Sequence, residues 1–350
     1  MAKLCYFIMI FCTLALLISG CGKLTGNAVN VNHVENYENN YEKNYEKGII
    51  IGAYFCPNED CSKIIEDFIS NANYSVHCAF FELEQENLIG IFAKKSHTLD
   101  VKIVIDSNNY NGQIKGNGVK TANSKQYMHN KFCIVDSSKV LTGSFNPTIK
   151  EANLNNNNII TVKSGLIASN YEDEFTELWN GVYSSGKKTK YKKIISDKIA
   201  LENYFCPEDC SSEPSPDKNA EALHRIFDLI RNAKESVRVA SFTFTHEAIS
   251  DELIKADSRG INVTILTENR QKNVMGSQYQ RAKDFGLKIK TDSNKYSMHH
   301  KFIVIDDKIV ITGSPNFTLS GFNKNDENFL IIYDKIIASK FSKEFDNMYG

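Results

Sequence analysis

The chain has 350 residues, with 41 Lys and Arg against 42 Asp and Glu, 42% hydrophobic and 24% charged. These globular proportions, on a length that favours two domains, exclude disordered and collagen-like chains. The near-neutral balance, with a pI near 6.7, excludes a protein that coats nucleic acid through bulk charge, so any polyanion site must be local.

Lys3 precedes an apolar run from Leu4 to Ile18, broken only by Thr13, which ends in Ile18-Ser19-Gly20-Cys21. That is the basic, apolar and small-residue order of a secretory signal, and the run is shorter than the roughly 20 residues a spanning helix needs. Residues 1–20 are read as a signal peptide. The Ile-Ser-Gly-Cys ending resembles a prokaryotic lipobox, which implies a lipid anchor at Cys21 and a place on the extracytoplasmic face of the cell membrane. Residues 21–47 are polar, carry Tyr37, Tyr41 and Tyr45 in a repeated phrase and have little to bury, so they are read as a tether.

Beyond the tether the chain repeats itself. Tyr54-Phe-Cys-Pro-Asn-Glu-Asp-Cys61 returns as Tyr204-Phe-Cys-Pro-Glu-Asp-Cys210, and the segment from Ile64 to Phe81 parallels Arg225 to Phe242. Tyr127-Met-His-Asn-Lys-Phe-Cys-Ile-Val-Asp136 is answered by Met298-His-His-Lys-Phe-Ile-Val-Ile-Asp306, which puts His129 and His299 170 positions apart. The repeat gives one domain over 48–182, a lysine-rich joint over 183–198 and a second domain over 199–350. Each half predicts a strand, an amphipathic helix, a second strand, a helix and a third strand (Val101–Ile105; Ile261–Leu266). Paired strands through the His-Lys phrase and a final helix follow, which makes the class α/β. A helix-like stretch around 277–285 has no counterpart in the first half. Cys56 with Cys61, and Cys206 with Cys210, are expected as local disulfides outside the cytoplasm, and their spacing departs from the Cys-x2-Cys of zinc knuckles. Cys78 and Cys133 lie in apolar strand-like runs and are expected as buried thiols.

The pattern His129-x-Lys131-x4-Asp136-x6-Gly143-Ser144-x-Asn146 recurs as His299-x-Lys301-x4-Asp306-x6-Gly313-Ser314-x-Asn316. Its recurrence at equivalent places in a duplication removes chance. On a strand, residues i and i+2 share a face, so each His and Lys project together while Asp136 and Asp306 fall on the opposite face. A pseudo-twofold pairing of the halves would then gather two imidazoles, two ammonium groups and two Asn amides around one point.

This doubled motif resembles that of the phospholipase D superfamily, and the likeness runs from Gly48 to Gly350. It implies two tandem phospholipase D-like α/β sandwich domains related by a pseudo-twofold, holding one site in one chain that is active as a monomer. It implies catalytic roles for His129, Lys131, Asp136, His299, Lys301 and Asp306, with one His attacking phosphorus and the other serving as acid and then base. Ser144, Asn146, Ser314 and Asn316 are expected to hold the phosphate, and no metal or other cofactor is required. In the resembling families an acidic residue about 28 positions after the motif histidine bonds an active-site imidazole. Here that position is Glu327 in half two but Asn157 in half one, so the site is expected to be electrically asymmetric. If each reaches across, Glu327 serves His129 as nucleophile and Asn157 orients His299; without crossing the roles reverse. The expected substrate is first a nucleic acid, with Lys115, Lys120 and Lys125 near the cleft, and alternatively a membrane phospholipid. A third reading is an anchored binding protein with a dead site.

Overall fold

A computed structural model of the chain describes residues 44–210 and 221–350. The signal peptide, Cys21 and most of the expected tether lie outside the described residues. The end of that tether is part of the folded body. Glu46 accepts from the backbone N–H groups of Gly165 at 2.6 Å and Leu166 at 3.3 Å, at the start of a helix, and its own N–H donates to Ile195 O at 2.9 Å.

Half one runs β1 (Ile50–Cys56), α1 (Cys61–Ser70), β2 (Ser75–Phe80), α2 (Glu86–Lys95), β3 (Asp100–Asp106), β4 (Val119–Ala122), β5 (Lys131–Val135), β6 (Lys139–Gly143), α3 (Ile149–Asn153), β7 (Asn157–Lys163) and α4 (Gly165–Trp179). A short strand β8 (Lys193–Ile195) lies in the joint. Half two repeats the plan with β9 (Ala200–Cys206), α5 (Glu221–Asn232), β10 (Ser236–Ser241), α6 (Glu247–Ser258), β11 (Asn262–Thr267), α7 (Tyr279–Asp284), β12 (Lys288–Thr291), β13 (Lys301–Ile305), β14 (Ile309–Gly313), α8 (Leu319–Asn323), β15 (Glu327–Tyr333) and α9 (Lys335–Tyr349). As expected, α7 has no counterpart in half one. The expected order had no strand at β4, β12 or β15, while residues 155–158, read as a turn or strand entry, do open β7 at Asn157.

Each half forms one mixed sheet, ordered β1-β7-β6-β5-β2-β3-β4 and β12-β11-β10-β13-β14-β15-β9-β8. The central strands β5 and β13 are buried on both faces, which explains their unbroken apolar runs. The helices α4 and α9 bury Ile167, Tyr171, Phe175 and Leu178, and Ile337, Phe341 and Phe345, at the three- and four-residue spacing of one helical face. Both helices start under side-chain caps, Ser164 accepting from Ile167 N at 3.1 Å and Asp334 from Ile337 N at 2.8 Å, each worth about 1 kcal/mol. Their buried faces join one core that takes in Phe132 and Met128 of half one with Phe302 and Met298 of half two. The halves are therefore fused through apolar packing, while α1 and α2, and α5 and α6, cover separate outer cores.

The structure corrects the cysteine assignment in one place. Cys56–Cys61 and Cys206–Cys210 are disulfides, and Cys78 is also bonded to Cys133, with Cα atoms 4.1 Å apart. The cause is register: antiparallel β2 and β5 set these two residues directly opposite each other, a relation between segments 55 residues apart that local sequence does not reveal.

Candidate active site

The two His-Lys phrases are delivered by carboxylates at the ends of the third strands. Asp106 Oδ2 accepts from Met128 N at 3.0 Å, and Glu268 Oε2 accepts from Met298 N at 2.7 Å. The backbones then cross between halves. His129 N donates to Asp326 O and His299 N to Asn156 O, both at 2.9 Å, while Asp326 N returns a bond to Tyr127 O at 3.0 Å and Asn156 N to Ser297 O at 2.8 Å. These bridges bring the starts of β7 and β15 against the opposite half's histidine.

The result is a pseudo-twofold cluster. Both oxygens of Glu327 lie 2.8 Å from His129 Nδ1, and Asn157 Oδ1 lies 3.0 Å from His299 Nδ1. Each pairing crosses the seam. Nδ1 of His129 is thereby held as the donor, which leaves Nε2 with its lone pair for chemistry. Lys131 and Lys301, each 1% exposed, donate to the carbonyls of His129 and His299 at 2.6 and 2.7 Å. Phe81 stands edge-on to His129 with ring centroids 4.7 Å apart, and Lys131 Nζ lies 5.0 Å from its ring centre; Phe242 repeats this with His299 at 4.8 Å and Lys301 at 5.1 Å. The sequence analysis did not single out this aromatic pair, although each repeat has a Phe directly after its second strand.

Burial sets the electrostatics. Removing the imidazole of His129 from water favours its neutral form, Glu327 opposes this and Lys131 adds to it, which leaves the ring at about 4. His299 is pushed down for the same first reason, with Glu151 opposing and Lys301 assisting. Burial brings Lys131 down to about 8 against the pull of Glu327, Glu82 and Glu151, and it lowers Lys301 well below the usual ammonium range, with Lys131 adding to the fall. Glu327 would be raised by burial alone, but His129 and Lys131 hold it below the ordinary carboxyl range. His129 is thus neutral near pH 7.

Glu151 changes the expected asymmetry. It sits on α3, is 8% exposed, and its Oε2 lies 3.2 Å from His299 Nδ1. The carboxylate missing at Asn157 is present six residues earlier.

Other expected residues are placed differently. Asp136 is not in the cluster: its carboxylate accepts from the backbone N–H groups of Asn73, Tyr74 and Ser75 at 3.0, 2.7 and 3.1 Å. Asp306 does the same for Lys234, Glu235 and Ser236 at 2.8, 2.7 and 2.9 Å. Both have positive φ, 54° and 53°, and brace the turn into the second strand, as the strand parity implies. The hydroxyls of Ser144 and Ser314, fully buried, accept from Asn158 N at 3.1 Å and Asn328 N at 3.0 Å, which fixes the starts of β7 and β15. Asn146 Oδ1 and Asn316 Oδ1 are buried with no partner among the described residues. Lys120, expected near the cleft, donates to Trp179 O at 2.8 Å with its Nζ 4.4 Å from the indole centre. No group of three His, Cys, Asp or Glu among the described residues is arranged to hold a metal ion.

A family model described as cardiolipin synthase, PLD-like domain, matches residues 65–179 and again 226–349. The chain belongs to this phospholipase D-like family of phosphodiesterases. A mitochondrial cardiolipin hydrolase of Chlamydomonas reinhardtii is 29% identical over 37% of this chain, which spans 57% of that relative's length. A phospholipase D of Rickettsia felis is 31% identical over 54% of this chain and 90% of its own length. The fold of the phospholipase D-like pair is shared with a phosphatidylserine synthase of Haemophilus influenzae, at a TM-score of 0.65 over 85% of this chain and 86% of that one, with 12% identity.

Proposed function

We propose that the chain hydrolyses phosphodiesters through a covalent phosphohistidine. The observation that carries this reading is the bidentate Glu327 contact to His129 across the seam, both oxygens 2.8 Å from Nδ1. His129 Nε2 attacks phosphorus, forming a P–N bond as the P–O bond to the leaving group breaks, and the imidazolium is stabilised by Glu327. His299, entering the step as the imidazolium with its Nδ1 bonded to Asn157 Oδ1, gives its Nε2 proton to the departing oxygen. It then takes a proton from water as that water displaces His129 from phosphorus. Lys131 and Lys301 each spend one of three donors on a backbone carbonyl, which leaves the others for the non-bridging oxygens. The Nδ2 donors of Asn146 and Asn316 would complete that clamp.

For the substrate, the balance of support lies with a phospholipid diester over a nucleic acid. The names of the algal and rickettsial relatives point that way. Lys120, which a nucleic-acid track would use, is turned onto Trp179. The anchor expected at Cys21 would hold the site beside a lipid surface, and replacing Cys21 with Ser should release the protein from washed membranes; retention of both forms would remove the anchor.

The test is the full chain in detergent, in excess EDTA, offered mixed phosphatidylglycerol and cardiolipin vesicles, single- and double-stranded DNA, and RNA. Release of phosphatidic acid is expected. Cleavage of nucleic acid alone would overturn the substrate choice, and no turnover of any diester would overturn the enzymatic reading.

A further inference from the structure

The two halves trade a carboxylate between two positions. In half two, the first residue of β15 is Glu327 and the third residue of α8 is Gly321; in half one, the same places hold Asn157 on β7 and Glu151 on α3. The helix positions are equivalent in detail, because Glu151 N donates to the capping Thr148 Oγ1 at 3.2 Å and Gly321 N to Thr318 Oγ1 at 3.0 Å. A Cβ at Gly321 would stand 2.4 Å from Asn316 O, so half two has no room for a side chain there. Half one accommodates one.

We propose that Glu151 is the anionic partner of His299, a positioning residue that takes over in half one the charge that Glu327 supplies in half two. This rests on the two-histidine phosphodiesterase reading. Two residues divide the task that Glu327 performs alone. Asn157 Oδ1 accepts from Nδ1 at 3.0 Å and sets the ring, while Asn157 Nδ2 donates to Glu151 O at 3.2 Å and fixes the helix beside it. Glu151 Oε2 lies 3.2 Å from the same Nδ1, at ion-pair distance but off the hydrogen-bond direction, and has no other partner although it is buried. The groups facing His299 are then Glu151 and Asn157 from half one, Lys301 from its own strand, Lys131 across the seam and the edge-on ring of Phe242. Against two ammonium groups, Glu151 is the anion that lets His299 carry the proton it must donate. Burial alone would raise this carboxyl, and His299 with Lys301 reverses that and holds it at about 2, so it stays ionised through the neutral range.

The test is the near-isosteric Glu151→Gln in the full chain in detergent, with 15N-histidine NMR following His299, assigned by its loss in His299→Gln. Removing the charge should lower the protonation constant of His299 about tenfold, one pKa unit. The same variant should slow a diester with a poor leaving group more than an activated aryl diester, because only the former needs the proton. Glu151→Gly combined with Asn157→Glu, which rebuilds the half-two arrangement in half one, should return the His299 titration to within threefold of wild type. A change in the protonation constant below threefold in Glu151→Gln, or a swap variant no closer to wild type than that single variant, would overturn the assignment. The titration is read without substrate, so a wild-type chain inert towards every diester would sink the phosphodiesterase reading and leave this measurement to decide Glu151 by itself.

Discussion

Half one and half two share the same strand plan and motif, and differ according to distance from the seam. Far from it, identity drifts without consequence for the chemistry. The β2–β5 register that places Cys78 opposite Cys133 places Val239 opposite Ile303 on β10 and β13, a disulfide in one copy and an apolar pair in the other. At the seam, the groups recur in twos: His129 with His299, Lys131 with Lys301, Phe81 with Phe242. The carboxylates are the exception, since both copies have one near the partner imidazole, but on different elements. What the cleft constrains is charge at a point in space, and the residue that supplies it is free to move along the chain.

The comparison breaks hardest at the histidines. His129→Ala should lose activity by about four orders of magnitude or more with every substrate, as removal of a nucleophile does. His299→Ala should keep partial turnover of an activated diester and trap the phosphoryl group on His129, seen by mass spectrometry. An adduct on His299 would exchange their roles.

The lysines test whether the clamp is two-sided. Lys131→Met and Lys301→Met should each cost about 10²–10³ in kcat, the range for removing one transition-state donor. Steady-state kinetics showing one of them silent would make the site one-sided.

A smaller effect separates the copies by pH. His129, held at about 4, is already unprotonated and ready to attack at neutral pH. Lys131 titrates at about 8, so kcat/KM should fall as pH rises past that value and the clamp loses charge. Glu327 opposes the depression of Lys131, and Glu327→Gln should move the alkaline limb to lower pH. An unmoved limb would detach it from Lys131.

The smallest effect concerns the outer cores. Cys78→Val with Cys133→Ile gives half one the pair that half two carries. The lost cross-link should cost no more than about 2–4 kcal/mol in denaturant unfolding, less what Val and Ile packing returns, with kcat unchanged. A loss of activity without a loss of stability would tie this disulfide to the site.

The duplicated motif and the parity of its strand were enough to place His129 with Lys131, His299 with Lys301, and the aspartates behind them, because period-2 geometry is local. Counting from the motif located Asn157 and Glu327. Glu151 was not legible: on a short helix in a polar stretch it reads as solvated, and only docking the halves turns it towards His299. Its trace was present in the aligned copies, where Glu faces Gly at one offset and Asn faces Glu at another. Cys78–Cys133 was hidden for a related reason, since strand register between distant segments is a tertiary fact.

The bonds that carry each histidine across the seam run from His129 N to Asp326 O and from His299 N to Asn156 O. They are peptide to peptide, so the docking of the halves does not read side chains at those points. After a duplication, this is the kind of joint that survives drift: either copy can accept substitutions around its crossing strand and still meet the other in register. Covalent fusion adds a second freedom, because a change in one copy is no longer made twice, as it would be in a pair of identical subunits. An arrangement with Asn157 and Glu151 on one side and Glu327 and Gly321 on the other is open only to a chain that carries both copies.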